Sequence, residues 1–132
     1  MAFGNKITAT TGVSTKYHKI STVYIDFSKG TSTIILDNYL TEDYRKKEKS
    51  IEEIRNSINK LTEQAKTNNK DTSTALLQKA NKLIEDNQED LNKNFIASKD
   101  TIELNYIPET LTYEAFYKEL AKLEKYKDAT ML

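Results

Sequence analysis

The chain of 132 residues contains no cysteine, so disulfides, thiolate nucleophiles and thiolate metal sites are all excluded. Tryptophan is absent, proline occurs once, at Pro108, and the three glycines, Gly4, Gly12 and Gly30, all lie in the first thirty residues. No two glycines after Gly12 share a turn, which leaves no phosphate-cradling loop. A single histidine, His18, rules out any histidine-based metal cluster. Charge of one sign is also lacking: twenty Lys and Arg balance twenty Asp and Glu, so no net field draws the molecule onto nucleic acid or an anionic membrane. No stretch approaches the roughly 18 apolar residues of a transmembrane helix. The opening MAFGNKITATTG lacks the basic and apolar regions of a secretory signal. What remains is a charged, modestly apolar chain long enough for one core.

Lys16 to Phe27 alternates and is rich in β-branched and aromatic residues, which predicts a long strand. Tyr17, Val23, Ile25 and Phe27 share one parity and Ile20, Thr22 and Tyr24 the other. Ser28-Lys29-Gly30 supplies a turn, and Thr31 to Leu40 a second strand, completing a hairpin. Ile7 to Thr11, closed by Gly12, reads as a shorter edge strand.

From Thr41 the period lengthens to about three and a half. Leu40, Tyr44, Ile51, Ile54, Ile58, Leu61 and Ala65 form a narrow stripe. Ser50 and Glu53 make a capping box, so the helix starts either there or near Thr41. A polar loop follows, then Thr72 or Thr74 as the next N-cap, then a second helix. The pattern predicts an antiparallel helical hairpin over roughly 50–66 and 74–93, its seam formed by Ile51, Ile54, Ile58 and Leu61 against Leu77, Ala80, Ile84 and Leu91. Thr101 to Ile107 alternates again, with Ile102, Leu104 and Tyr106 on one face, and stops at Pro108. Thr110 or Thr112 caps a last helix ending near Tyr126, covering the sheet with Tyr113, Phe116, Leu120 and Leu123. The expected fold is α+β: a small antiparallel sheet of three to four strands, a C-terminal helix packed on it, and an inserted hairpin. The whole is one domain, with a body of 1–49 and 95–132 and an insertion of about 50–94.

The residues that carry chemistry elsewhere have plain explanations here. His18 lies in a strand with no motif-placed nucleophile to activate, which points to an imidazole hydrogen-bonded on the sheet. The adjacent acids Glu42-Asp43 and Glu52-Glu53 diverge around a helix and suit first turns, where the helix dipole favours negative charge. Arg45-Lys46-Lys47 with Lys49 is interrupted by acids and reads as a solvated helix face. No catalytic, cofactor or metal site is expected.

Gly12 to Phe27 (GVSTKYHKISTVYIDF), the second strand ending in Asn38-Tyr39-Leu40, and Thr41 to Lys49 (TEDYRKKEK) resemble small tail and baseplate-region proteins of tailed bacteriophages and related prophage particles. Thr112 to Tyr117, Leu120 and Lys127 to Thr130 resemble the helix and tail with which such proteins finish. These stretches cover about half of the chain. The segment from about 51 to 94 departs from the compact pattern, and its role is not carried by the resemblance. The resemblance implies a non-enzymatic virion structural protein, made in the host cytoplasm and present in many copies or as a homo-oligomer. It would act through interfaces with other tail or baseplate proteins, with no nucleic acid, membrane or cofactor. The alternative is a small cytoplasmic regulator that binds a protein through the hairpin.

Overall fold

A computed structural model describes residues 1–9 and 12–132. The fold is α+β, and the chain divides into two compact units, Met1–Arg45 with Phe95–Leu132, and Lys46–Asn94. The division falls four residues earlier than the expected boundary.

The first unit is built on a five-stranded, wholly antiparallel sheet in the order β6 (Ser98–Leu104), β5 (Thr31–Tyr39), β4 (Tyr17–Asp26), β1 (Phe3–Gly4), β7 (Thr130–Met131). Its centre is the expected hairpin, β4 (Tyr17–Asp26) and β5 (Thr31–Tyr39). Asp26 fixes the turn by accepting from the Ser28 amide at 3.0 Å, the Ser28 hydroxyl at 2.6 Å and the Lys29 amide at 3.2 Å. Gly30 closes it at φ +65°, where a side chain would be strained. The register slips between Ile20 and Thr22, and Ser21 bulges out with its hydroxyl donating to the Ile35 carbonyl at 3.2 Å. The bulge accounts for the divided parity of this segment. It turns His18 and Ile20, before the slip, and Val23 and Ile25, after it, toward one core face.

The sheet exceeds the expected three to four strands because β1 (Phe3–Gly4) and β7 (Thr130–Met131) add two-residue ribbons, too short to leave an alternation signal. A separate pair, β2 (Ile7–Thr8) with β3 (Ser14–Thr15), replaces the single edge strand expected over Ile7 to Thr11; Thr10 and Thr11 lie outside the described residues. The last long strand, β6, runs Ser98–Leu104 rather than 101 to 107. Tyr106 therefore falls beyond the strand and is exposed, its phenol hydrogen-bonded to Glu119.

The C-terminal helix α4 is short, Tyr113–Leu120, with Thr112 as N-cap accepting from the Ala115 amide at 3.2 Å. Tyr126 lies in the turns that follow it. Phe116, Tyr117 and Leu120 bury themselves with Ile20, Ile34, Leu36, Leu104 and Phe3 in one cluster, and Leu123 packs partly against it. Tyr113, expected in that face, is 58% exposed, because it begins the helix beyond the edge of the cluster. Phe3 is the hub: its ring stacks on Tyr126 at 4.6 Å and meets Tyr117 edge-on at 5.2 Å.

Helix α1 (Glu42–Thr67), which belongs to the second unit from Lys46 onward, is followed by α2 (Lys70–Asp86) and one further turn, α3 (Gln88–Leu91). Ser50 sits inside α1, bonding back to the Lys46 carbonyl at 3.1 Å, so the Ser50 capping box does not start the helix. The second helix is capped by Asn69, which accepts from the Thr72 amide at 2.9 Å, instead of by Thr72 or Thr74. Ser73 donates to the Ala65 carbonyl and Lys47 pairs with Asp90 at 3.4 Å, contacts that fix an antiparallel hairpin.

Candidate functional site

The hairpin seam differs from the expected one at two of its eight positions. Ile51 is buried and Ile54, Ile58 and Leu61 are half-buried on α1, while Ala80 is buried and Leu91 half-buried opposite. Leu77 and Ile84 are displaced from it: they are 43% and 41% exposed, and Leu76 and Leu83 occupy the inward line instead. The apolar pairs Leu76-Leu77 and Leu83-Ile84 offer two stripes about 100° apart, and spacing alone cannot choose between them. The choice follows from the loop, where Asn69 caps α2 and Ser73 reaches α1, setting the rotation of the helix. The result is an outward stripe with Leu77 and Ile84 seven residues apart, in addition to the apolar line the hairpin uses for itself.

The second candidate is polar. His18 is fully buried at the β1 side of β4, with ring nitrogens 2.7 Å from Asn38 Oδ1 and 2.8 Å from the Asn5 carbonyl. Tyr126 lies edge-on to the imidazole at 6.0 Å. Asn38 extends the network by donating to Ser98 Oγ at 3.1 Å and to Asp100. Asp100 in turn accepts from Lys125 Nζ at 2.6 Å and faces the Tyr126 hydroxyl at 3.5 Å. Burial by itself would raise the Asp100 carboxyl, but Lys125, the Asn38 amide and His18 outweigh it and hold the group below the usual carboxylate range. Burial and the Asp100 charge push the Tyr126 phenol up.

A cleft of about 330 Å3 opens over this network, with Thr8, Thr15, Asn38, Ser98, Asp100 and Lys125 in its walls. Ser98 bonds to the amide of Asn38 and not to His18, so the cluster lacks the nucleophile–base contact that acyl transfer requires. Among the described residues, no group of three or more His, Asp or Glu is arranged to hold a metal. The network's evident work is to satisfy polar groups where β4, β5, β6 and the segment after α4 converge. Asn38, Asp100 and Lys125 were missed by sequence reading. Asn38 and Asp100 had a faint signature, each falling on the inward parity of its strand after or before apolar residues.

Glu42 and Asp43 lie in the first turn of α1, as dipole stabilisation favours, whereas Glu52 and Glu53 are mid-helix on its exposed side. Arg45, Lys46, Lys47 and Lys49 also belong to α1, where Lys47 is tied to Asp90. No helix among the described residues is long and apolar enough to cross a membrane. Comparison with family models, curated proteins and solved structures returns no match to this chain.

Proposed function

We propose that this chain is a non-enzymatic structural component of a phage tail or baseplate, carried in the virion and acting through protein–protein interfaces. The observation that carries the interface reading is the outward stripe of the hairpin. Leu77 and Ile84 stand exposed on α2 at a seven-residue spacing, while the helix covers a separate line with Ala80 buried and Leu76 and Leu83 half-buried. Apolar side chains set at this spacing suit a helix of a neighbouring protein. The polar network around His18 supports the same reading, since its members are engaged with one another in joining strands. The virion assignment comes from the sequence resemblance of the strand hairpin and the C-terminal segment.

Mass spectrometry of purified phage or phage-tail-like particles from a strain expressing the protein tests the assignment. The protein is expected in stoichiometric amounts, and Leu77→Glu with Ile84→Glu should abolish incorporation while the circular dichroism spectrum stays that of the wild type. Absence of the wild-type chain from intact particles would refute the virion role, and undiminished incorporation of the double variant would refute the role of the stripe.

A further inference from the structure

Strand β6 forms one edge of the five-stranded sheet, and among the described residues no strand pairs with its outer side. The other edge is the two-residue β7, whereas β6 presents seven residues, Ser98–Leu104. It pairs with β5 in unbroken register from end to end, contains no proline and carries no bulge. Sheet edges are ordinarily protected by shortness, bulges, proline or charge, and of these only charge is present. That charge is arranged with opposite signs. Lys99 and Glu103, with Thr101 midway between them, lie on the exposed face of the strand. Lys99 is shared with Asp37 at 3.0 Å, while among the described residues Glu103 has no ion pair.

We propose that β6 pairs antiparallel with β6 of a second copy about a two-fold axis through Thr101, joining the two sheets into one. A two-fold axis normal to the sheet keeps each face continuous, so only registers centred on a residue are allowed. Centring on Thr101 overlaps the whole of Ser98–Leu104 and sets Lys99 across from the second copy's Glu103, twice by symmetry. Centring on Asp100 would place two carboxylates directly opposite, which is repulsive. Centring on Ile102 would set Glu103 opposite a threonine and leave Lys99 facing a residue beyond the strand. Charge and strand length therefore select the same register. The pairing stands independently of the tail assignment, as it depends only on the sheet.

The absence of native cysteine gives a direct test on the full-length chain. In the proposed dimer, Thr101 faces its own copy at the separation of directly opposed strand residues, about 4.5–5.5 Å between Cβ atoms. Two Glu103 residues are offset by four positions, about 13 Å along the strand. Under mild oxidation Thr101→Cys should form a disulfide-linked dimer rapidly and Glu103→Cys should not; equal rates would overturn the register.

Sedimentation of the wild type should show a concentration-dependent dimer that weakens with salt. Glu103→Lys alone and Lys99→Glu alone should each raise Kd about tenfold or more, and a 1:1 mixture of the two should restore the dimer because both cross-strand contacts become attractive. A wild type monomeric to about 1 mM, or a mixture no better than its components, would overturn the proposal. Concentration-dependent amide exchange confined to β6 reads the same pairing without any substitution, so a poorly folding variant does not spare it.

Discussion

The hydroxyl of Tyr117 is spliced into the sheet, and removing it tests whether that splice holds the fold together. Phe3 pairs with His18, so a ladder continued one step outward would set Met1 opposite Ile20. Instead the Ile20 amide donates to the Tyr117 hydroxyl at 2.8 Å, and that hydroxyl donates to the Met1 carbonyl at 2.8 Å. A side chain from α4 thereby completes the β1–β4 ladder where β1 ends. In Tyr117→Phe the Met1 carbonyl belongs to an exposed residue and is rehydrated, but the Ile20 amide belongs to a residue only 3% exposed. Leaving one buried donor unpaired costs about 1–3 kcal/mol, and the phenyl ring keeps the rest of the packing. We expect a loss of about 2 kcal/mol in urea unfolding, equivalent to roughly 8 °C in Tm for a chain of this size. The Ile20 amide should also lose protection in hydrogen exchange. A change under about 0.5 kcal/mol with protection retained would refute the reasoning, since the amide would then have an equivalent partner.

Phe116→Ala should cost about 3–5 kcal/mol, as for other buried aromatic truncations, whereas Tyr113→Ala three residues earlier should cost under about 0.5 kcal/mol; the pair of denaturation curves checks which face of α4 is buried. Burial pushes Tyr117 up to about 12, and burial with the Asp100 charge raises Tyr126 as well, so both phenols are more readily ionised in the unfolded chain. Stability present below about pH 10 should therefore be lost as pH rises toward 12, and ultraviolet titration should show these two tyrosines ionising only with unfolding. The depressed carboxyl of Asp100 acts at the other end: its contribution is present above about pH 4 and should fade on further acidification, a fading that Lys125→Met should remove from the acid-denaturation profile. Replacing Lys46–Asn94 by a short Gly/Ser linker should leave the sheet unit folded by circular dichroism, because its buried cluster draws only on Met1–Arg45 and Phe95–Leu132; an unfolded product would refute that separation.

The alternation of Tyr17–Asp26 and Thr31–Tyr39 and the turn at Gly30 made the central hairpin legible, because strand periodicity and turn chemistry are local properties. That two helices follow the sheet hairpin, and that Phe116 and Leu120 are buried, was legible for the same reason, whereas the start of the second helix at Lys70 rather than 74 and its break at Asn87 were not. Three things were decided only in three dimensions. The bulge at Ser21 set which parity of β4 faces the core, and bulges depend on the partner strand. The rotation of α2 chose Leu76 and Leu83 over Leu77 and Ile84, two stripes of equal apolar merit separated by contacts at the loop. The network of His18, Asn38, Asp100 and Lys125 gathers residues up to 107 positions apart, whose polar groups need partners only because folding removes them from water. Local pattern determines which elements form and which faces are apolar. Packing decides which of several equivalent faces is buried, because that depends on surfaces brought together from distant parts of the chain.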